Sequence, residues 1–352
     1  MTLGVWLRLV LRNRVAIHPL RIPTAVCVTL VAMVNSCLAV LQGLFWNRKI
    51  ARTKIEEDPI FIVGHWRAGT TLLHELLVLD PRHTYPSTYE CFTPRHFLVS
   101  GKFLPRMFRF LLPDRRPMDN MAAGWDRPQE DEFALANMGV PTPYRTIAFP
   151  NRPQCSEYLD LQGVPQGDLN RWKQGFLWFL KSITVRNPKR MVLKSPPHTC
   201  RIKTLLEMFP RASFVHIVRD PYVVFPSTVN LWKRLYRDQG LQRFNGTGLE
   251  ESVFENFTRM YQAFHAEQPL VDRSRYCEVR YEDLVQDPMG QMRRVYKEIG
   301  LGDFEKVQPA IEAYLARQSD YKTNRWELPS ATRAEIARRW RFFFERYGYP
   351  IE

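Results

Sequence analysis

The stretch that decides the fold is residues 59–79, PIFIVGHWRAGTTLLHELLVL. It predicts a short buried strand over Ile60–Val63, a tight polar loop, and an amphipathic helix whose leucines recur on one face. Gly64 and Gly69 bracket the loop, which lets backbone N–H groups point inward at the positive end of the helix dipole. A strand, a glycine-bracketed loop and a helix in this order are typical of a phosphate-binding loop. We therefore expect an anion to bind here.

The chemistry of this loop differs from that of nucleoside triphosphatases. The glycine spacing is that of the GxxxxGK[ST] motif, but Thr70 stands where the motif has its lysine. Arg67 supplies a cation earlier in the loop, which suits a donor with a shorter charged tail than a triphosphate. A turn that binds nothing has the same glycine spacing, but Arg-x-Gly-Thr-Thr after a buried strand favours the anion site.

Composition limits the class of protein. The chain has 352 residues, 45% of them hydrophobic, which fits one large α/β domain with additions rather than two equal domains. A net charge of +14 indicates an acidic partner, such as a nucleotide, a sulfated or phosphorylated substrate, or an anionic membrane. Nucleic acid is disfavoured because the basic residues are scattered and show no zinc-finger spacing. The six cysteines lie far apart, which argues against a disulfide framework and favours a reducing compartment.

Residues 1–56 differ in kind from residues 57–352, and we expect them to form a separate hydrophobic helical segment. Residues 22–46 carry no charge and 18 of these 25 are apolar, with arginines and lysines on both flanks. That length is sufficient to cross a bilayer, but seven polar, proline or glycine residues dilute the apolar run. A spanning helix, an in-plane helix and a hairpin packed on the domain all stay open, and the charges leave the orientation undecided. We favour membrane contact through residues 22–46, with the protein on the cytoplasmic side of a membrane or in the cytoplasm.

Three further strands are predicted, at Arg190–Lys194, Ser213–Val218 and Tyr276–Arg280, and helices alternate with them. This order predicts an α/β fold of three layers around a mostly parallel sheet. Lys194 ends one of these strands and Arg219 directly follows another, and a proline stands two residues after each cation. Ligands of open α/β sheets bind beyond the carboxyl ends of the strands, so both cations are expected to meet Arg67 there. Ser227 lies about two helical turns after Arg219. The alternative role for Lys194 and Arg219 is that each pairs with a nearby acid.

Two other segments have ordinary explanations. Residues 128–135, with Glu130, Asp131 and Glu132 after Pro128, match the composition of a helix start, so capping is the expected role of these acids. Residues 97–112 are aromatic and basic. They predict a core helix interrupted at Pro105, or else a second surface for a membrane or a lipid acceptor.

From Pro59 to the C-terminus, the order and spacing of these motifs resemble sulfotransferases that use 3′-phosphoadenosine 5′-phosphosulfate (PAPS), in the style of bacterial enzymes related to the tyrosylprotein sulfotransferases. The resemblance implies that residues of the loop hold the 5′-phosphosulfate and that Arg219 and Ser227 hold the 3′-phosphate. It places Tyr281, in Val279-Arg-Tyr-Glu-Asp-Leu284, beside the adenine. Lys322, in the basic loop 320–326, is a further candidate for the 3′-phosphate unless that loop is merely solvated. The implied loop residues are Arg67, Ala68, Gly69, Thr70 and Thr71.

The same resemblance suggests the base. Glu90 falls near the position of the catalytic glutamate of the tyrosylprotein enzymes, although its spacing from Arg67 is slightly longer. Cytosolic sulfotransferases have a histidine two residues after a lysine matching Lys194, but Pro196 stands there, which leaves His198 as the nearest substitute. A capping or surface carboxylate is the alternative role for Glu90, and core packing is the alternative for Tyr281.

The expected reaction is sulfuryl transfer from PAPS to an acceptor hydroxyl. It passes through a loose in-line transition state in which positioning and charge stabilisation do most of the catalysis. Arg67 and Lys194 would neutralise the leaving group, Glu90 would take the acceptor proton, and no metal is expected. A divergent P-loop kinase or nucleotide hydrolase, or a non-catalytic membrane-bound nucleotide-binding protein, is the alternative. The acceptor stays open among lipids, glycans, small molecules and peptides, and so does the oligomeric state.

Overall fold

The fold is described from a computed structural model, which describes residues 1–107, 124–317 and 326–351. Within these residues one sheet of five parallel strands is present, in the order β2-β3-β1-β4-β5. The four predicted strands are confirmed at their predicted bounds, whereas the short β2 was not predicted. The strands are β1 (Ile60–Val63), β2 (His83–Thr84), β3 (Arg190–Lys194), β4 (Ser213–Val218) and β5 (Tyr276–Arg280).

Helices connect the strands and cover the sheet. The N-terminal segment forms α1 (Leu3–Arg12) and α2 (Ile22–Arg52), and the phosphate-loop helix is α3 (Thr70–Leu77). Between β2 and β3 lie α4 (Thr88–Phe92), α5 (Phe97–Ser100), α6 (Leu104–Met107), α7 (Asp131–Met138) and α8 (Gln166–Arg186). The remaining helices are α9 (Ile202–Met208), α10 (Pro221–Gln239), α11 (Leu249–Glu267), α12 (Tyr281–Gln286), α13 (Pro288–Glu298), α14 (Gln308–Arg317), α15 (Ser330–Arg339) and α16 (Arg341–Tyr347).

The sheet is buried on both faces, which gives the three predicted layers. In β1, Phe61 and Val63 join one hydrophobic cluster while Ile60 and Ile62 join another. This division follows from the alternation of side chains along a strand, and burial on both faces explains why β1 is an unbroken apolar run. The α/β fold with a parallel sheet and an N-terminal apolar helix is therefore confirmed.

The region after α4 corrects one expected helix. The predicted core helix over residues 97–112 is two short helices within the described residues, α5 and α6, separated by Gly101 and its neighbours. Pro105 lies in the first turn of α6, where a proline is tolerated because its missing N–H has no intrahelical partner. Residues 108–112 lie outside the described residues.

The N-terminal segment is a helical hairpin that rests on the α/β domain. The Trp6 indole of α1 donates to the Thr29 hydroxyl of α2 at 2.8 Å, and Trp6 packs in a cluster that includes Phe149 and Leu241 of the domain. The His18 amide, between the helices, donates to the Leu241 carbonyl at 2.8 Å. Among the described residues, one helical stretch has the length and composition to cross a membrane, Pro19–Arg52, which consists of a short turn and α2. The division into segments 1–56 and 57–352 stays a prediction.

Candidate active site

The loop between β1 and α3 is held in a tight, partly left-handed conformation. Gly64 (φ 151°) and Gly69 (φ 101°) have positive φ, and so does Arg67 at 69°, which costs a non-glycine residue about 1–2 kcal/mol. A methyl group on Gly64 would lie 2.5 Å from the Ile217 carbonyl oxygen of β4, so only glycine fits this close approach. The first N–H groups of α3 open onto the loop and have no intrahelical partners, which suits an anion.

The imidazole of His65 is not a base in this loop. It is 1% exposed, and its Nδ1–H donates to the Trp66 carbonyl at 2.9 Å. Burial lowers the pKa of His65 to about 3, although the bond to the carbonyl opposes this change. The ring is therefore neutral at physiological pH and acts as packing beneath the loop.

The structure brings together the predicted donor-site residues of three strands. Arg67 Nε donates to Ser227 Oγ at 2.8 Å, and a guanidinium nitrogen of Arg219 donates to the Arg67 carbonyl at 3.1 Å. The Arg219 guanidinium also stacks on the Tyr281 ring at 3.9 Å, and Tyr281 lies against the backbone of Gly69. Two arginines, a hydroxyl and an aromatic ring thus surround the start of α3, as a phosphorylated nucleotide requires.

Lys194 lies at the same edge of the sheet but has an acidic partner that the sequence did not reveal. Ile62 of β1 pairs with Lys194 of β3, so the ammonium group lies beside the strand that leads into the loop. Lys194 Nζ contacts Glu130 Oε1 at 2.8 Å. Lys194 is 3% exposed and Glu130 14% exposed at their side chains, which leaves the carboxylate within reach of a ligand.

Two hydrogen bonds through the Tyr144 hydroxyl link Glu130 to the phosphate loop. The Tyr144 hydroxyl donates to Glu130 Oε2, and the same hydroxyl accepts a hydrogen bond from the Trp66 indole at 2.9 Å. Burial and the charge of Glu130 raise the pKa of Tyr144 well above its usual range, so the phenol keeps its proton and its role as donor. Glu130 is therefore positioned by Lys194 on one oxygen and by Tyr144 on the other.

The three consecutive acids lie at the start of α7, as expected from the sequence, but their side chains also have partners outside this helix. The helix begins at Asp131, and the Glu130 side chain makes no capping hydrogen bond. Each acid pairs with a base at the end of β3 or in the segment that follows it: Glu130 with Lys194, Asp131 with His198 at 2.7 Å, and Glu132 with Arg201 at 2.7 Å. The segment is itself fixed to the loop, since the Gly64 amide donates to the Thr199 hydroxyl at 2.8 Å.

His198 is buried in this ladder and does not reach a solvent-facing site. Its ring is 0% exposed, packs against Phe61 and Phe176, and bonds to Asp131. Burial would raise the pKa of Asp131, but the charge and hydrogen bond of His198 lower it overall. Ligand atoms of Asp131, Glu132 and His198 lie within 4.8 Å of one another, yet Glu132 is already neutralised by Arg201, so the arrangement is explained without a cation.

Glu90 has structural partners on both carboxylate oxygens. Oε2 accepts from the Ser87 amide at 2.8 Å, which completes a capping box at the start of α4, and Oε1 contacts the Arg186 guanidinium at 2.8 Å. Burial raises the pKa of Glu90, and Arg186 partly opposes this. These contacts match the alternative expected for Glu90, a capping carboxylate, and its catalytic role stays a prediction. Lys322 lies outside the described residues.

Glu130 is the site residue that sequence reasoning missed. Three acids in a row, and cations at positions 194, 198 and 201, were visible in the sequence. Their pairing was not, because the two groups lie more than 60 residues apart and local capping explained the acids equally well.

The comparisons with known proteins identify the family. The family model described as "Sulfotransferase family" matches residues 59–306. The chain belongs to the sulfotransferase family. It is 50% identical over 347 residues to the omega-hydroxy-beta-dihydromenaquinone-9 sulfotransferase Stf3 of Mycobacterium bovis and to that of Mycobacterium tuberculosis, covering 98% of this chain and 89% of each relative. This sulfotransferase is thus an enzyme, and its family implies PAPS as co-substrate.

Solved structures share the fold. The sulfotransferase STF9 from Mycobacterium avium aligns with a TM-score of 0.70, and STF1 from Mycobacterium tuberculosis H37Rv aligns with 0.65. Both are 19% identical, and the alignments cover 96% of this chain and 88% and 90% of theirs. The prediction of a sulfotransferase is confirmed by the family match, and the kinase and scaffold alternatives fall.

Proposed function

We propose that this sulfotransferase moves a sulfuryl group from PAPS to the hydroxyl of a lipid, and that residues 22–46 bring it to the membrane that holds this lipid. The support is the relative that is 50% identical over nearly the whole chain and is named for a hydroxylated menaquinone derivative. The mainly exposed apolar helix α2 fits such an acceptor. The location that follows is a membrane surface.

The donor site is proposed from the residues around the start of α3. Arg67 to Thr71 would hold the 5′-phosphosulfate with backbone amides and the Arg67 cation. Arg219 and Ser227 would bind the 3′-phosphate, and Tyr281 would contact the adenine. The observation that carries this assignment is the contact of Arg67 with both Ser227 and Arg219, because the loop after β1 and the segment from β4 into α10 bring two cations and a hydroxyl together.

We propose Glu130 as the base, ahead of Glu90. In the transfer, a bond forms between the acceptor oxygen and sulfur while the bond from sulfur to the bridging oxygen of the 5′-phosphate breaks. The acceptor proton passes to the Glu130 carboxylate, and adenosine 3′,5′-bisphosphate leaves. Lys194, in contact with Glu130 at 2.8 Å, would stabilise the charge on the departing oxygen.

The donor site is tested by calorimetric titration with adenosine 3′,5′-bisphosphate and, separately, with ATP and magnesium. Because charged hydrogen bonds are worth about 1.5–3 kcal/mol, Arg219→Ala should weaken bisphosphate binding by roughly 10- to 150-fold. Arg211→Ala is the matched control, since Arg211 is exposed at the opposite end of β4. Equal affinity of the two variants, or binding of ATP alone, would contradict the donor assignment.

The base is tested by the turnover of a hydroxylated menaquinone analogue in detergent, with the same lipid lacking the hydroxyl as a blank. Glu130→Gln should lower kcat by about 10²–10⁴-fold, the usual contribution of a general base, while binding of the bisphosphate is retained. Glu90→Gln, which removes an acid with a different set of partners, serves as the comparison. If Glu130→Gln turns over normally and Glu90→Gln does not, the role belongs to Glu90.

A further inference from the structure

The helix α2 has two faces of opposite character. Val26, Met33 and Leu44 are exposed by 53%, 41% and 74%. Their spacing of seven and eleven residues places them within about 20° of one another around a helix of 3.6 residues per turn. The outward face is therefore apolar over most of the length of α2.

Three of the polar residues that interrupt the apolar sequence, Asn35, Ser36 and Gln42, face other parts of the protein. The Ser36 hydroxyl accepts from the Leu3 amide of α1 at 2.8 Å. The Asn35 side-chain oxygen contacts the His96 ring at 3.0 Å, and the Gln42 side-chain oxygen accepts from the Leu98 amide at 2.9 Å. Asn35 and Gln42 would lose these partners if α2 left the domain to enter a bilayer.

Both ends of α2 are attached to the same domain. Near its beginning, Ala25 belongs to a hydrophobic cluster with Phe149 and Leu241. Near its end, the Lys181 ammonium group of α8 donates to the Ala51 carbonyl at 3.2 Å. The 26 residues between these contacts extend about 39 Å, whereas a bilayer core is about 30 Å thick. A spanning helix would have to separate one end from the domain.

The charge of this region is complementary to anionic lipid. Residues 1–55 contain eight arginines and lysines and no acidic residue. Seven of these cations are exposed, and they precede or follow the apolar run in the sequence: Arg8, Arg12, Arg14, Arg48, Lys49, Arg52 and Lys54. Cations around an apolar helix face are the pattern of segments that lie in the interface of an anionic membrane.

We infer that α2 lies in the plane of an anionic bilayer, with its outward face among the acyl chains and its polar face on the domain. This inference rests on the membrane contact proposed above and specifies its orientation. The enzyme is attached to one leaflet and does not cross the bilayer. It draws its lipid acceptor from that leaflet.

Binding is tested by flotation of the full chain with vesicles of phosphatidylcholine, with and without phosphatidylglycerol. We expect the protein to float with the anionic vesicles, and Leu30→Asp/Leu44→Asp to reduce the floated fraction at least tenfold. The matched control is Leu270→Asp/Val285→Asp, which changes two similarly exposed apolar residues outside α2 and should float like the parent. Equal flotation of the two double variants would overturn the inference.

The in-plane orientation of α2 is tested by measuring how deeply labels on its outward face lie in the bilayer. Val26→Cys, Met33→Cys and Leu44→Cys are made singly in a chain whose exposed Cys27 and Cys37 are replaced by serine, and each is labelled with a fluorophore. Lipids carrying quenchers at shallow or deep acyl positions should give the same depth for all three labels. A label at residue 33 that lies about 10 Å deeper than the label at residue 26 would show a spanning helix and overturn the inference.

Two further outcomes are decisive. If light scattering shows that a second copy covers this face and anionic vesicles do not displace it, the surface is a dimer interface and the inference fails. Titration with the bisphosphate and turnover of the acceptor in detergent do not need a bilayer, so they report on the proposed function separately. If the protein floats with anionic vesicles but does not bind the bisphosphate or does not turn over the acceptor, the proposed function is contradicted. The inference that α2 binds a membrane surface then still stands.

Discussion

Glu130 and Glu132 are two residues apart, and their surroundings give them different roles. The Glu132 side chain is 0% exposed and is bound by Arg201, which is also fully buried and lies over the Trp172 ring. The two terminal nitrogens of the Arg201 guanidinium donate to the Glu132 carboxylate, at 2.7 and 3.0 Å. Glu130 keeps one side toward solvent, so it alone of the two can meet an acceptor.

This difference predicts that the same substitution destabilises the protein to different extents at the two positions. Glu132→Gln leaves Arg201 as an uncompensated buried charge and should lower the free energy of unfolding by about 3–5 kcal/mol. Glu130→Gln should cost less, about 1–3 kcal/mol, because Lys194 loses its carboxylate partner but Glu130 is 14% exposed and glutamine keeps a side-chain oxygen for the ammonium group. Urea unfolding followed by tryptophan fluorescence measures both. Equal losses in the two variants would mean that Glu130 is as structural as Glu132.

Among the site residues predicted from the sequence, Arg67 and Arg219 were predicted from their positions after strands. Arg67 and Arg219 could be placed because the ends of parallel strands gather at one edge, whatever the details of packing. The role of Glu130 depends on Lys194, 64 residues further along the chain. No local pattern encodes such a pairing, and the position of the acids at the start of a helix was a sufficient local explanation for them.

Among the elements, the loop and α3 depend on the fit between Gly69 and α12. A methyl group on Gly69 would lie 2.2 Å from a carbon of the Tyr281 ring, and the residue has a φ of 101°. The ring in turn carries the Arg219 guanidinium at 3.9 Å. A side chain at position 69 would therefore move both the aromatic ring and the cation of the donor site.

We accordingly predict that Gly69→Ala weakens binding of adenosine 3′,5′-bisphosphate by at least tenfold and lowers the unfolding free energy by about 2–4 kcal/mol, from overpacking and backbone strain together. Gly246→Ala is the control, because Gly246 also has a positive φ, 81°, but open space where a methyl group would lie. It should cost only about 1–2 kcal/mol and leave the affinity unchanged. Unchanged affinity in Gly69→Ala, measured by calorimetry, would contradict this account of the site.

The elements also show where sequence patterns mislead. Four strands were predicted at their observed bounds because three contain a short apolar run and β5, Tyr-Cys-Glu-Val-Arg, alternates between polar and apolar residues. The two-residue β2 is too short to leave a pattern. In α2, Asn35, Ser36 and Gln42 were interpreted as a dilution of an apolar run. They form one face of the helix, and only the packed structure gives that face its partners.

On the scale of the whole molecule, buried histidines connect stability to pH. His65, His74 and His96 are each at most 2% exposed, and they lie in the phosphate loop, in α3 and against the N-terminal hairpin. Burial lowers the pKa of His65 and His74 to about 3 and that of His96 to about 4. Because the unfolded chain binds these protons near pH 6.5, it holds more protons than the folded protein between about pH 4 and 6.5.

The sign of the effect follows: the stabilising contribution of these histidines is present above pH 6.5 and is lost as the pH falls toward the folded values. For each of these histidines, the free energy of unfolding should fall by about 2 kcal/mol when the pH is lowered from 7 to 5. The three together should lower it by about 4–6 kcal/mol. Urea unfolding at pH 7, 6 and 5 measures this loss. His74→Gln, which keeps a donor for the Val192 carbonyl, should reduce the loss by about one third. A stability that stays constant from pH 7 to pH 5 would show that these rings are protonated without cost, and hence that they are not buried as the fold requires.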